Sequence, residues 1–228
     1  MQDKPALAAA PGQTKTPVWD LPTRLFHWLL VLLVIVSFAT GNIGGNAMQY
    51  HARSGFVILA LLLFRLVWGL LGSQPSRFKT FLKGPAAVLR YAATTLRREP
   101  ECHLTHNPLG GWSVAALLTV LLVQAGTGLF ANDDIVTEGP LYGWVSKGTS
   151  DWITEAHEVN AGIIVALVVL HVAAVLFHLI YKRDNLLVPM LTGDKPCGAT
   201  DGPPGMRPRW LAMAAVALAA AAVYLLVR

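Results

Sequence analysis

Seven histidines stand in a chain of 228 residues: His27, His51, His103, His106, His157, His171 and His178. Five of them, all but His103 and His106, lie in or beside apolar runs. An imidazole in hydrocarbon is costly unless its nitrogens find a partner, so each is a candidate for ligation or hydrogen bonding. A lone histidine in such a place is as readily a helix-to-helix hydrogen bond, and it is the set that is informative. His171 follows His157 by 14 residues, which is close to four helical turns and about 21 Å of axial rise. These two side chains therefore share one helix face at two depths.

Composition says what surrounds them. The chain is 54% hydrophobic and 14% charged, where an ordinary soluble domain is about 25% charged. Its mean hydropathy is +0.50. A soluble enzyme, a disordered tail protein and a disulfide-built secreted module are all disfavoured. The two cysteines, Cys102 and Cys197, stand in neither a CxxC nor a CxxCH, so there is no disulfide scaffold and no covalent c-type haem attachment. A net charge of +5 does not indicate nucleic acid, because the basic residues cluster beside apolar spans.

Five apolar runs are each near the length that crosses a bilayer: Trp28–Ile43, Gly55–Gly72, Trp112–Phe130, Ala161–Tyr181 and Trp210–Val227. The first reaches full length if Leu25, Phe26 and His27 join it. Residues 1–18 are polar and weakly structured, and the first run begins too late and runs too long for a cleaved leader. Arg77, Lys79, Lys83, Arg90, Arg97 and Arg98 crowd the segment 73–111, and Lys182, Arg183, Lys195, Arg207 and Arg209 the segment 182–209. The other side carries Arg53 and Lys147 against Asp133, Asp134, Glu138, Asp151, Glu155 and Glu158. The positive-inside rule thus places the N-terminus and both basic segments in the cytoplasm. Between spans two and three, residues 79–99 read as short amphipathic pieces in the headgroup plane, and 193–208 as a flexible Gly/Pro-rich connection.

Direction then converts sequence into depth. His51 and His157 lie near the outer surface, His27 and His171 toward the inner side, and each level draws its imidazoles from two helices. Opposed imidazoles with a flat disc between them constitute bis-histidine haem ligation, and a helical bundle supplies the apolar slot. Four histidines split between levels about 20 Å apart cannot share one zinc ion. Arg65, 14 residues after His51, falls at the level of His171, where a haem propionate is a natural partner. Arg53 is placed for outer propionates and Arg24 for the inner group or lipid headgroups. Gly41, Gly44, Gly45, Gly55, Gly126, Gly128 and Gly162 would let backbone approach a porphyrin, or serve ordinary small-residue packing. His103, His106 and His178 are candidates for a quinone site or for proton transfer.

The segment Val18-Trp19-Asp20-Leu21-Pro22-Thr23-Arg24-Leu25-Phe26-His27-Trp28 resembles the opening of the prokaryotic cytochrome b561 and nickel-iron hydrogenase cytochrome b subunit superfamily. Similar pieces follow at His51-Ala52-Arg53-Ser54-Gly55, Phe64-Arg65-Leu66-Val67-Trp68-Gly69, His106-Asn107-Pro108-Leu109-Gly110-Gly111, His157-Glu158 and His171-Val172. The resemblance covers about residues 18–192. It implies a four-helix di-haem b core with His27 paired to His171 and His51 to His157, the same pairs that depth suggests. It also implies electron exchange between a periplasmic partner, such as a hydrogenase, another dehydrogenase or a c-type cytochrome, and membrane quinone.

The expectation is an all-α membrane protein of the bacterial inner membrane. A cytoplasmic tail (1–18) leads into a four-helix transmembrane di-haem bundle (19–192), followed by a cytoplasmic linker (193–208) and an additional C-terminal transmembrane helix (209–228). The expected cofactors are two non-covalent haem b groups, with quinone or quinol as exchangeable substrate. Partners are a periplasmic electron-transfer protein, membrane lipids, and a homodimer or larger redox complex, not nucleic acid. The rival activities are a superoxide:quinone oxidoreductase, which the acidic outer loops disfavour, and a non-redox anchor or transporter.

Overall fold

A computed structural model describes residues 15–97, 106–196 and 204–228. Cys102, Cys197 and His103, together with residues 1–14, lie outside the described residues. A short strand β1 (Lys15–Pro17) leads into helix α1 (Leu21–Ile43), then α2 (Met48–Leu71), α3 (Phe78–Phe81), α4 (Pro85–Thr94), α5 (Pro108–Gly128), α6 (Lys147–Ile180), α7 (Leu187–Thr192), strand β2 (Asp194–Pro196) and α8 (Arg209–Val227). Among the described residues five helices are long and apolar enough to cross a membrane: α1, α2 with its leading turn, α5, α6 and α8. The protein is an all-α membrane protein with a fifth span after the four-helix core. "Inner" below denotes the side that bears β1.

Each span starts where the chain changes chemistry. Asp20 caps α1, its Oδ1 accepting the Thr23 N–H at 3.0 Å, with Pro22 in the first turn. Asn107 caps α5 through the Gly110 N–H at 2.7 Å, and Ser146 caps α6 through the Thr149 N–H at 3.2 Å. At 34 residues, α6 is about 51 Å long. That exceeds a hydrocarbon core of about 30 Å, so its first turns stand above the outer surface. The outer start of α6 therefore lies well before the apolar run that marks the span in sequence.

The core is built around α2, which packs against α1, α5 and α8, while α5 packs against α6. Its centre holds Phe26, Ile58, Leu62, Phe64, Trp68, Leu118, Leu121 and Ile164. The fifth helix presents Ala212, Ala215, Ala219 and Val223 to the bundle, a spacing of three and four residues that permits close backbone approach. Helix α6 is fastened to α5 by Asn160, whose amide donates to the Val120 carbonyl at 2.9 Å and to Gln124 Oε1 at 2.7 Å. Against α1 and α2, by contrast, α6 makes at most marginal backbone contact. A gap thus runs between the helix carrying His157 and His171 and the two carrying His27 and His51.

Two segments of loop composition prove tied down on the inner side. Lys15–Pro17 pairs antiparallel with Asp194–Pro196, Thr16 opposite Lys195, so part of the polar tail and the start of the connection hold each other. Farther along, Gly205 and Gln74 exchange bonds of 2.9 and 3.0 Å, and the Arg207 N–H donates to Ser73 Oγ at 3.0 Å. Trp68, near the inner end of α2, is buried. It is 2% exposed, and its Nε1 donates to Asp20 Oδ2 at 2.9 Å.

Candidate haem-binding site

Across the gap the four histidines meet in pairs. The ring centres of His27 on α1 and His171 on α6 are 6.5 Å apart, with planes at 51°. Those of His51 on α2 and His157 on α6 are 6.0 Å apart, at 74°. A metal bonded at about 2.0–2.1 Å to one nitrogen of each of two opposed imidazoles sets their ring centres roughly 6.3 Å apart. Both spacings match that figure.

The outer rings are also in the correct tautomer. His51 Nδ1 lies 2.9 Å from the Ser37 carbonyl. A carbonyl only accepts, so Nδ1 carries the proton and Nε2 keeps its lone pair. His157 Nδ1 lies 3.0 Å from Thr127 Oγ1. That hydroxyl is 2.8 Å from the Val123 carbonyl and 3.0 Å from that of Gln124, which take its single proton. It therefore accepts from His157 Nδ1, and again Nε2 is the basic nitrogen. Fixing one imidazole nitrogen in this way orients the other toward a metal.

Glycine makes room for these rings. A Cβ at Gly41 would come 2.9 Å from His51 Nδ1, and one at Gly128 would come 3.1 Å from His157 Cε1. At Gly55 and Gly126 a Cβ would meet no protein atom within 4 Å.

The inner pair opens on a cavity of about 420 Å³ that His106, Asn107, Tyr91 and His178 also line. Two unsatisfied polar atoms belong to residues that line it: His27 Nδ1 and His106 Nδ1 are sealed from solvent without a hydrogen-bond partner among the described residues. Such orphans are rare unless a further group belongs at the site. His106 sits against Trp19 at 4.9 Å and Phe81 at 4.7 Å between ring centres. Burial, helped by the Arg65 charge and by His171 and His27, pushes its pKa down to about 3, so it is neutral at pH 7. At the inner end of the cavity, His178 Nδ1 lies 2.9 Å from the Ala174 carbonyl. His178 Nε2 therefore accepts from Asn107 Nδ2 at 3.2 Å, with the Tyr91 hydroxyl at 3.5 Å.

The three arginines divide. Arg65 is 3% exposed; its Nη1 donates to the Ser76 carbonyl at 2.8 Å, and its guanidinium lies over Phe78 at 5.1 Å and Phe81 at 5.9 Å. Arg24 Nη1 donates to the Leu191 carbonyl at 2.5 Å. Arg53 is exposed at the outer level. Ser37 and Thr127 escape a search by residue type, because one acts through its backbone and the other looks like an ordinary helix threonine. Their only trace is a small polar residue in an apolar span.

The outer surface remains acidic in three dimensions. Lys147 spans Asp134 and Asp151 at 2.5 and 2.8 Å, while Glu138, Glu155 and Glu158 are exposed. Desolvation works to raise the Asp133 carboxyl, but N–H donors of Thr137, Ile135 and Val136 outweigh it and hold its pKa at about 2.

The sequence profile of prokaryotic cytochrome b561 matches residues 18–193. The chain belongs to this family. As a member of the prokaryotic cytochrome b561 family it is a membrane b-type cytochrome, with haem b as its cofactor class and electron transfer as its activity class. It is 25% identical over 222 residues to the probable Ni/Fe-hydrogenase B-type cytochrome subunit of Bradyrhizobium diazoefficiens, covering 82% of this chain and 88% of that one. The protein of the same name from Cupriavidus necator is 23% identical over 223 residues, with coverage of 84% and 91%. The probable Ni/Fe-hydrogenase 1 B-type cytochrome subunit of Escherichia coli K12 is 25% identical over 210 residues, with coverage of 77% and 88%. No solved structure matches the chain significantly.

Proposed function

We propose that this cytochrome binds two haem b groups and carries electrons between a redox protein at its outer face and membrane quinone. The observation that carries this reading is the pair of imidazole bridges, 6.5 and 6.0 Å between ring centres, across a gap between helices that otherwise stay apart. His27 and His171 would hold the inner haem, and His51 and His157 the outer one. Bound haem supplies the one-electron chemistry.

The chain does the rest. Ser37 and Thr127 hold the outer imidazoles in the metal-binding tautomer, while Gly41 and Gly128 admit those rings close to the helix backbone. Arg53 is the cation available to outer propionates. Arg24 and Arg65 keep positive charge near the inner pair while bonded to backbone carbonyls. The polar end of the inner cavity, where Asn107 and Tyr91 meet His178, supports quinone exchange there. His178 is the group nearest at hand to pass a proton.

Inner-membrane placement with a cytoplasmic N-terminus is supported by the basic inner segments. The acidic outer surface suits a basic docking patch and disfavours superoxide, an anion. Among partners, the names of the relatives favour a hydrogenase over other dehydrogenases and c-type cytochromes.

Quinol-driven reduction tests the assignment. Mixed anaerobically with a short-chain quinol, the oxidised holoprotein should show the b-type α-band within the dead time to seconds. Reduction by dithionite but not by any quinol analogue would contradict a quinone link.

A further inference from the structure

A second cavity, of about 380 Å³, lies on the inner face between the end of α2 and the approach to α8. It is lined by Gln74, Arg77, Lys79, Thr80, Gly205, Met206 and Arg207. Among the described residues three cations and no carboxylate line it. Its walls are fixed, because Gly205 and Gln74 bond each other twice and the Arg207 N–H is held by Ser73. Arg77 is fixed too: its Nε donates to the Gly72 carbonyl at 2.8 Å, which leaves the two terminal nitrogens of the guanidinium for another acceptor. Cations gathered around one rigid hollow repel one another, and an anion with several acceptor oxygens relieves that repulsion.

The spans that flank the hollow in sequence select the anion. Leu70 and Leu71 precede its Gln74, Trp210 and Met213 follow its Arg207, and they are exposed by 68, 67, 65 and 71%. They belong to the inner ends of two spans. A free phosphate would use the cations and none of this apolar surface. A phospholipid uses both. We infer that the hollow formed by Arg77, Lys79 and Arg207 binds the phosphodiester headgroup of an anionic phospholipid, whose acyl chains lie along α2 and α8. A basic pocket between helices at the cytoplasmic side is a recognised setting for such headgroups. The lipid would reinforce the junction of α8 with the core, which the Gly205 and Arg207 contacts and the packing of α8 on α2 already make. The inference depends on the fold alone and stands or falls separately from the haem assignment.

The test is native mass spectrometry of the holoprotein titrated with dioleoyl phosphatidylglycerol, with dioleoyl phosphatidylcholine and inorganic phosphate as separate arms. One phosphatidylglycerol should be retained, phosphatidylcholine should not, and phosphate should not displace the lipid. The variant Arg77→Gln, Lys79→Gln, Arg207→Gln should hold it about 100-fold more weakly, with haem content unchanged. If that variant loses haem, Lys79→Gln alone decides, because Lys79 is exposed; it should weaken retention several-fold. Equal retention by the variants, equal retention of phosphatidylcholine, or displacement by phosphate would each overturn the proposal.

Discussion

His171→Ala should yield a protein with about one haem per chain, and the haem that remains should be the outer one. His171 supplies one of the two facing imidazoles of the inner pair, its partner being His27 at 6.5 Å between ring centres. Its removal would leave His27 without its facing imidazole beside a cavity of about 420 Å³. His106 lines the same cavity, but its ring is held between Trp19 and Phe81. The outer pair is about 21 Å away along α6 and shares no hydrogen bond with the inner one. Haem quantitation should therefore fall from two to about one, and quinol-driven reduction should be lost. Retention of both haems would contradict the pairing.

The second large effect comes from a residue that touches no metal. Gly41→Val should empty the outer site although His51 and His157 both remain in the sequence. The new Cβ would stand 2.9 Å from His51 Nδ1 and 3.2 Å from Cε1. Helix backbone cannot yield, so the imidazole must turn and give up its bond to the Ser37 carbonyl. Loss of a ligand's orienting partner typically weakens metal binding 10–100-fold, and here the ring itself is displaced. A potentiometric titration that shows two one-electron waves in the parent should show one in the variant. Two unaltered waves would mean that the Gly41 contact does not position the ring. Gly128→Val offers an independent approach from α5, milder because the contact with His157 Cε1 is 3.1 Å.

Much of this is legible in the amino-acid sequence. Apolar length marks the five spans, and the helical repeat places His157 and His171 on one face. Charge in the loops gives direction, and direction gives depth. What hydropathy and period cannot supply is the partner of a group that is satisfied by backbone. The spacing puts Arg65 level with His171, yet its hydrogen bond goes to the carbonyl of Ser76 in the turn after α2. Trp68 sits at a span end, where tryptophan commonly meets headgroups, but the carboxylate of Asp20 from another helix draws its indole inward. The β1–β2 pair joins segments nearly 180 residues apart that carry no strand pattern of their own. The tautomers of His51 and His157 depend on oxygens of α1 and α5, and only the packing of helices brings those within reach.

The central claim is that each imidazole pair holds one haem. Electron paramagnetic resonance of the air-oxidised holoprotein, with spins counted against protein concentration, tests it most directly. The account predicts two low-spin ferric haems per chain, both with bis-imidazole g-values. A single low-spin haem per chain, or a high-spin signal as the main species, would contradict it.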